Sequence, residues 1–334
     1  MSKKETQSCC EKFKTSIGGQ ALIEGIMMRG PEKDAIAVRT DGQIKLEVTD
    51  RKVRKKGSVA TWPLIRGAVN FLDSQVVGVK ALMRSADLSP EGVEDENPSK
   101  FDLWLEKKLG NESFQKVLLG ITVFISLSFS VLLFILLPDI LVGFIDRWLP
   151  ANPLIHNLLA GVVRICIFML YMFLVSRMKD MKRVFAYHGA EHKTIRCYEA
   201  GLPLTVENVR AQTRLHPRCG TSFLLVVMVI SILVFSVASS LLNQWTWLAA
   251  LNGTFLYRIL MMVCKLLLLP LVVSITYEIN RWAGRHDNWF TRILTAPGMW
   301  LQNWTTNEPD DSMIEIGIAA VQAVLPEEEG ADRW

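Results

Sequence analysis

Residues 117–137 read VLLGITVFISLSFSVLLFILL, and this stretch decides the fold class. It contains no charged side chain, and about 20 apolar residues in an α-helix are enough to cross a hydrocarbon core roughly 30 Å thick. The dipeptide Pro138-Asp139 follows it directly. We therefore expect a transmembrane helix over 117–137 that ends before the proline.

Three further stretches of the chain are also long and apolar enough to span a bilayer. Together with the first, they predict a multipass α-helical membrane protein of about four transmembrane helices. The polar remainder is expected to form a small cytoplasmic α+β portion. The three further predicted spans cover residues 154–175, 223–242 and 255–279.

The connections between the predicted spans differ in their content of Lys and Arg. Residues 138–153 contain one basic residue and residues 243–254 contain none, whereas the connection 176–222 is rich in them. Because basic loops are retained in the cytoplasm, we expect that connection and both chain termini to be cytoplasmic. The basic residues of the connection are Arg177, Lys179, Lys182, Arg183, Lys193, Arg196, Arg210, Arg214 and Arg218.

The region before the first span has a pattern of its own. Residues 35–40 and 43–49 alternate apolar and polar side chains around Asp41-Gly42, which is typical of a β-hairpin. We expect the glycine-rich residues 18–31 to add a buried strand. The apolar residues that we expect to share one face of the hairpin are Ile36, Val38, Ile44, Leu46 and Val48.

Helical patterns flank the spans on both sides. Residues 62–83 have a broad apolar face that is predicted to lie along the membrane or under the helix bundle, and a linker follows over 88–100. Ser312 and Glu315 fit a capping box that opens a helix ending at about Val324. The expected organisation is an N-terminal region with the hairpin and a membrane-associated helix at 1–86, a linker and pre-membrane helix at 87–116, the transmembrane region at 117–279, and interfacial helices with an acidic tail at 280–334.

Composition argues against two classes of protein. The 334 residues include 37 basic and 33 acidic side chains, and a net charge of +4 is small for a dedicated nucleic-acid binder. The six cysteines lack the spacing of a disulfide framework. The expected partners are therefore the lipid bilayer and its anionic headgroups, with no nucleic acid.

The strongest chemical motif is His188-Gly189-Ala190-Glu191-His192, which has the His-x-x-Glu-His form. On a helix, the two histidines lie one turn apart and can reach the same metal ion. Glu191 lies beside them, where it can act as general base on a water activated by the metal. We predict a divalent metal, zinc, at this site. The alternative is a polar helix whose two histidines only face water.

A zinc site needs a third protein ligand. Glu199 lies about 10 Å along the helix from His192 at 1.5 Å per residue, which is too far, so it is expected to support the site from outside. Glu24 reads as a loop carboxylate bound by its neighbours, with a fourth-ligand role as the alternative. The candidate third ligands are His216, Cys219 and Glu278; for Cys219, a small buried residue in a tight turn is an equal alternative.

Arg164 and Lys265 are charges inside predicted spans. Each costs about 2.5–3.5 kcal/mol at the bilayer centre on insertion scales, and no acidic residue lies at matching depth in the predicted spans. One interpretation is that both side chains extend toward the outer headgroups. The other is an inward cationic site for an anionic group such as a lipid phosphate.

Three sequence blocks resemble the bacterial YqhQ-like family. They are GGQALIEGIMMRG at 18–30, YHGAEHKT at 187–194 and HPRCGTSF at 216–223, within a resemblance that extends from Gly18 to Ala323. Members of that family have no known function, and some are labelled predicted metal-dependent enzymes. The resemblance implies a bacterial cell membrane location.

The function predicted from these patterns is a metal-dependent hydrolase at the cytoplasmic membrane surface. Its substrate would be a peptide or a lipid headgroup. Two alternatives stay open. One is a non-catalytic membrane scaffold or assembly factor, and the other is a transporter or flippase-like protein for an anionic substrate, using Arg164 and Lys265.

Overall fold

The structure is a computed structural model that describes residues 13–51, 57–89, 111–145, 153–251, 254–328 and 330–333. The chain forms two compact units, each built from segments distant in sequence. Unit 1 comprises Met1–Gly92, Met172–Ser231 and Val263–Trp334, and unit 2 comprises Val93–Tyr171 and Ile232–Met262.

The helices account for most of the described residues and are numbered in chain order. They are α1 Ile65–Leu88, α2 Asn111–Val131, α3 Leu137–Ile145, α4 Pro153–Val175, α5 Lys179–Glu199, α6 Val206–Arg210, α7 Gly220–Leu242, α8 Thr246–Ala250, α9 Phe255–Arg285, α10 Trp289–Thr305 and α11 Asp311–Val324. A short π-helix, Leu132–Leu136, joins α2 to α3, and a 3₁₀-turn, Val59–Thr61, precedes α1.

Unit 1 contains a four-stranded antiparallel sheet with the order β1-β2-β3-β4. The predicted hairpin is confirmed, because Asp41 and Gly42 join its strands with φ values of 51° and 73°, as a two-residue type I′ turn requires. The glycine-rich residues upstream form two strands where one was expected. The strands are β1 Gly18–Leu22, β2 Gly25–Arg29, β3 Lys33–Thr40 and β4 Gln43–Asp50.

The prediction of one shared apolar face on the hairpin is wrong. The register places Glu47 opposite Ile36 and Leu46 opposite Ala37, and residues directly opposite each other lie on the same face. Ile36 and Val38 therefore lie on one face, whereas the apolar residues of β4 lie on the other. The latter are exposed, with 36% for Ile44, 45% for Leu46 and 47% for Val48.

The sheet lies between two layers of helices within unit 1. On one face, Leu22 and Met27 form a cluster with Ala81 of α1. The opposite face packs on α5 and α11 and forms the largest apolar core. That core includes Ile26, Met28, Ala35, Ala37, Tyr187, Ala190, Ile195, Met313, Ile316, Ala320, Val321 and Val324.

Helix α11 ends at Val324, as predicted, but it begins earlier than the predicted capping box. The N-cap is Asp310, whose side chain accepts a hydrogen bond of 3.0 Å from the Met313 amide. The Ser312 hydroxyl donates to the same carboxylate at 2.6 Å. An aspartate two residues upstream thus takes the capping role that the sequence pattern assigned to Ser312.

Among the described residues, four helices are long and apolar enough to cross a membrane, in agreement with the predicted number. Their bounds differ from the prediction mainly at the first and last, because the first continues to Ile145 and the last to Arg285. The segments are Gly120–Ile145, Ile155–Val175, Gly220–Leu242 and Phe255–Arg285.

The first of these helices continues through Pro138, where an end was predicted. A proline has no N–H for the carbonyl four residues earlier, which here is that of Phe134. The π-helix Leu132–Leu136 contains Phe134 and widens the backbone just before the proline. Arg164 of the same unit donates to the free Phe134 carbonyl, with 2.7 Å between Nε and O.

The continued helix also supplies an acid that the sequence reading placed outside the spans. Asp139, in the first turn of α3, interacts electrostatically with Arg164. The prediction that the spans contain no acidic residue to neutralise this arginine assumed a helix end at Leu137, whereas the first candidate span continues to Ile145 and includes Asp139.

Helix α1 forms close to where a helix was predicted, but it begins at Ile65 and ends at Leu88. Of the expected linker at 88–100, all but the first two residues lie outside the described residues. The exposed face of α1 carries an apolar stripe at helical spacing. Its members are Leu72, Val76, Val79 and Met83, each 45–62% exposed.

Candidate metal centre

Three potential ligand atoms converge between α5 and the start of α7. They come from His188, His192 and Cys219, and all lie within 4.8 Å of one another. The closest pair is His188 Nε2 and Cys219 Sγ, at 3.2 Å. The two imidazole ring centres are 4.3 Å apart, as expected for histidines one turn apart on a helix.

Backbone carbonyls orient both histidines. His188 Nδ1 lies 2.7 Å from the Thr305 oxygen and His192 Nδ1 lies 2.6 Å from the Arg214 oxygen. Because a carbonyl only accepts, each ring donates from Nδ1, and a neutral ring then carries its lone pair on Nε2. His192 Nε2 is buried and has no hydrogen-bond partner among the described residues. Metal-ligating histidines are held in this way.

Cys219 and His188 each favour the charged form of the other. Burial disfavours the thiolate, but the charges of His192 and His188 outweigh it and hold the pKa of the Cys219 thiol well below its ordinary value. Burial also disfavours the imidazolium, but the Cys219 thiolate overcomes it and raises the pKa of His188 to about 9. The cysteine is therefore already in the form that binds metals.

The start of α7 also supports the thiolate. The Thr221 amide donates to Cys219 Sγ at 3.5 Å, and the N-terminus of a helix favours negative charge. Cys219 lies immediately before Gly220, the first residue of α7.

Glu191 lies on the same helix and is only 5% exposed. Its Oε1 accepts a 3.1 Å hydrogen bond from the Gly19 amide, whereas its buried Oε2 finds no partner in the described part of the chain. Burial raises the pKa of this carboxyl, although the charges of His188 and His192 act in the opposite direction. Glu191 thus has one anchored oxygen and one available to accept a proton.

Gly189 permits the approach that orients His188. A Cβ at this position would lie 2.0 Å from the Asn307 carbonyl oxygen, so only glycine lets the segment after α10 cross α5 here. The Asn307 amide donates to the Phe185 carbonyl at 2.8 Å. This crossing brings the Thr305 carbonyl to the His188 ring.

Gln302 of α10 fixes the segment that carries Cys219. The His216 amide donates to its Oε1 at 2.7 Å, and its Nε2 donates to the His216 carbonyl at 2.8 Å. Gln302 is fully buried. The amide and the carbonyl of His216 are therefore both hydrogen-bonded, which holds the backbone that leads to Cys219.

His216 does not join the three converging atoms, although it was a candidate third ligand. Its Nε2 lies 3.3 Å from Glu199 Oε2, and its ring centre lies 5.6 Å from that of His192. Glu199 also accepts from the Arg218 guanidinium and from the Thr15 amide. Burial, with the charges of Arg218 and His192, holds the pKa of His216 well below its ordinary value.

Glu278 is also not brought to the histidines. Its two carboxylate oxygens accept from the Arg66 guanidinium, with 2.6 Å between Arg66 Nε and Oε1. Glu24 is held by Arg183 through both oxygens and by the Tyr187 hydroxyl at 3.1 Å, in line with the loop role expected for it. Of the three candidate third ligands, the structure brings only Cys219 to the histidines.

The anion site expected at Arg164 and Lys265 stays a prediction. Arg164 lies in unit 2 and Lys265 in unit 1. The carbonyl of Phe134 and the charge of Asp139 already engage Arg164. Lys265 is only 8% exposed.

The sequence gives little signal for several groups that shape the site. The carbonyls of Thr305 and Arg214 act through the backbone, so no side-chain pattern reveals them. Gly19 belongs to a conspicuous Gly-Gly pair, and a Cβ there would lie 3.0 Å from Glu191 Cγ. A glycine pair at the start of a strand indicates a close approach but not which residue approaches.

Comparisons with known proteins agree with the resemblance noted in the sequence. A family described as "Protein of unknown function (DUF1385)" matches residues 62–327. The chain is 31% identical over 320 residues to the "Uncharacterized protein YqhQ" of Bacillus subtilis (strain 168), which covers 94% of this chain and 93% of that protein. No solved structure matches the chain. The chain therefore belongs to the YqhQ-like DUF1385 family of proteins of unknown function.

Proposed function

We propose that this protein is a membrane-embedded, metal-dependent hydrolase with a divalent cation, zinc, at His188, His192 and Cys219. One observation carries the proposal. Both imidazoles are fixed with Nδ1 on a carbonyl, so that their Nε2 atoms converge on a thiol whose pKa is lowered. That arrangement supports metal ligation better than two histidines that merely face water.

The donor set favours zinc over harder cations. Imidazole nitrogen and thiolate sulfur suit zinc and other late transition metals, whereas magnesium and calcium prefer oxygen ligands. Three protein ligands leave a fourth, open position, which is characteristic of catalytic rather than structural zinc. A zinc ion held by these three residues would supply a Lewis acid and would make a water molecule more acidic.

Glu191 is the proposed general base. Its Oε1 is anchored by the Gly19 amide, so Oε2 is presented in a fixed direction. In a hydrolysis, this oxygen accepts a proton from the attacking water and returns it to the leaving group. Burial raises the pKa of Glu191, and a shift in that direction favours a carboxyl that first accepts and then donates a proton.

The proposed location is the cytoplasmic surface of the bacterial cell membrane. Cys219 directly precedes the candidate span Gly220–Leu242, and the basic connection 176–222 carries the remaining site residues. The exposed apolar stripe on α1 is a second surface suited to lipid. A substrate at this boundary would be a membrane-bound peptide or a lipid headgroup.

Elemental analysis of the purified full chain in detergent tests the metal. We expect close to one zinc per chain, lost in a His188→Ala, His192→Ala double variant and retained in a His286→Ala control. His286 is exposed and stacks on Trp282, outside the cluster. Wild-type protein that stays metal-free after exposure to zinc, with a melting temperature unaffected by chelator, contradicts the proposal.

A Glu191→Gln variant tests the base separately from the metal. Glutamine keeps the size of the side chain and an oxygen for the Gly19 amide, but it cannot take up a proton at neutral pH. We expect unchanged zinc content and a loss of activity of at least 100-fold. Activity is followed by mass spectrometry on membrane peptides and lipids incubated with each variant. An active Glu191→Gln protein excludes this role.

A second candidate function is a cysteine hydrolase that needs no metal. The 3.2 Å contact between His188 Nε2 and Cys219 Sγ favours it, because a thiolate beside an imidazolium is an activated nucleophile. Alkylation with iodoacetamide distinguishes the two. Zinc should protect Cys219 in a metal enzyme, whereas a nucleophile should react equally with and without zinc. If zinc does not protect Cys219 and Cys219 does not react with iodoacetamide, both hydrolase candidates fail. The scaffold or assembly role then remains.

A further inference from the structure

Unit 1 contains a second concave site, away from the residues of the proposed metal centre. A cavity of about 770 Å³ lies among the β2–β3 turn, α1 and the C-terminal end of α9. This volume falls within the range of about 300–1,000 Å³ that is typical of small-molecule sites. None of the cluster residues His188, His192 and Cys219 lines it.

The cavity lining is rich in arginine. Only three acidic residues, Asp34, Asp50 and Asp73, offset the positive charge, and Arg29 binds two of them, with 3.2 Å to Asp34 and 3.1 Å to Asp73. Glu278, outside the lining, binds Arg66. The net charge of the cavity lining stays positive after these ion pairs are subtracted. The lining arginines are Arg29, Arg51, Arg66, Arg281, Arg285 and Arg333.

Arg281 and Arg285 are the arginines that most need a counter-ion. They lie four residues apart near the end of α9 and therefore share a face of the helix. Within the part of the chain that the structure describes, neither guanidinium forms a hydrogen bond or an ion pair; the charge of Arg281 acts on Glu278, but both oxygens of that carboxylate bind Arg66. Like charges at this spacing repel, so an anion held between them would relieve that repulsion.

The polar groups beside them also suit an oxyanion. Asn70 Nδ2 donates to the Tyr277 hydroxyl oxygen at 2.9 Å, which leaves the O–H of Tyr277 to donate elsewhere. Both residues line the cavity. Guanidinium groups bind phosphate through paired N–H donors, and a phenol O–H can complete the set.

We propose that this cavity binds a phosphate-bearing ligand, with Arg281 and Arg285 as its principal contacts. The site lies at the end of the candidate span Phe255–Arg285, so the phosphate could belong to a lipid headgroup or to a soluble phosphate ester. The chemistry at the arginines is the same in both cases. The proposal does not depend on a metal at His188, His192 and Cys219.

Binding to the full chain in uncharged detergent tests the site. The probes are dioctanoyl phosphatidic acid, glycerol 3-phosphate and, as a zwitterionic reference, dioctanoyl phosphatidylcholine. The cavity variant is Arg281→Gln with Arg285→Gln. The control is Arg84→Gln with Arg292→Gln, which removes the same charge from exposed arginines paired with Glu47 and Asp287. Affinities are measured by titration calorimetry, and melting temperatures establish that each variant is folded.

We expect saturable binding of a phosphate probe that weakens at least tenfold in the cavity variant and stays within twofold in the control. Tight binding of phosphatidic acid alone identifies a lipid headgroup, and equal binding of glycerol 3-phosphate identifies a soluble ester. Three results overturn the proposal. They are the absence of saturable binding of either phosphate probe by wild-type protein, unchanged binding in the cavity variant, and an equal loss in the control. If the double variant is unfolded, the single Arg281→Gln and Arg285→Gln variants replace it, with the same criteria.

Discussion

At the scale of the residue, Gly189 permits the backbone crossing that orients His188. Its missing side chain leaves room for the Asn307 carbonyl, and that segment carries the carbonyl that holds His188 Nδ1. A glycine inside a helix costs roughly 1 kcal/mol relative to alanine. Gly189 is unfavourable for the helix α5 itself, and the close approach of the crossing segment explains why a glycine is present there.

A Gly189→Ala variant should lower both stability and metal affinity. The added methyl group forces the crossing segment away from α5, which we expect to cost about 1–3 kcal/mol as overpacking. Zinc affinity should fall at least tenfold, because the Thr305 carbonyl no longer holds the ring. Thermal unfolding and zinc titration measure the two effects.

Gly143→Ala is the matched control for this change. Gly143 is also helical, in α3, and a Cβ there meets nothing within 4 Å. We expect unchanged zinc affinity and equal or slightly higher stability. If both glycine variants behave alike, the crossing does not orient the histidine.

At the scale of the element, the cap of α11 controls a helix that packs on the sheet and on α5. Burial disfavours the charged form of Asp310, but hydrogen bonds from Ser312 and Met313 outweigh it and lower the pKa of this carboxyl. A carboxyl with a lowered folded pKa contributes stability above its unfolded value and loses it as pH falls through the folded value.

We therefore expect Asp310→Ala to destabilise the protein by about 1 kcal/mol at pH 7. The difference from wild type should begin to shrink as pH falls below about 4, the pKa of an unfolded aspartate, and should be lost only as pH falls through the lowered pKa of folded Asp310. Melting temperatures of both proteins from pH 7 to pH 3 measure the effect. An Asp287→Ala control, at an exposed surface pair, should change little at either pH. A pH-independent difference would show that the charge does not matter to the cap.

In the helix α2–α3, a short π-helix accommodates both a proline and the side chain of an arginine from α4. Pro138 frees the Phe134 carbonyl, the π-helix gives it room, and Arg164 of α4 donates to it. A buried arginine and a helical proline would each be unfavourable alone. Here the arginine donates a hydrogen bond to the carbonyl that the proline leaves without a donor. The helix therefore does not end where the sequence pattern predicts an end.

At the scale of the whole molecule, the proposed membrane location makes a topological prediction. The distribution of Lys and Arg predicts that both termini lie in the cytoplasm and that the connections 138–153 and 243–254 lie outside. Fluorescent protein fused to the C-terminus should therefore fluoresce. Alkaline phosphatase should be active only when it is inserted into either of those two connections. Phosphatase activity from a C-terminal fusion would contradict this orientation.

The candidate metal centre joins segments that are far apart in the chain. The Gly19 amide binds Glu191 across 172 positions, and the Thr305 carbonyl binds His188 across 117. All of these residues belong to unit 1. If a metal binds here as proposed, its removal should therefore weaken contacts between the N-terminal sheet, α5 and the C-terminal helices together.

Features that depend on local composition and spacing could be predicted from the sequence. About 20 consecutive apolar residues predict a helix able to cross a membrane whatever surrounds them. An Asp-Gly pair between alternating strands predicts its own turn, and two histidines four residues apart on a helix necessarily lie on one side of it. These predictions rest on backbone geometry within a few residues.

Which distant groups come into contact depends on the tertiary structure. Cys219 joins the histidines, whereas His216 pairs with Glu199 and Glu278 pairs with Arg66. All three candidates are chemically competent ligands, so residue type could not separate them. The choice depends on how α5, α7 and α10 pack and on carbonyls that carry no side-chain signal. Long-range packing of this kind is a property of the whole fold, and a single sequence does not display it.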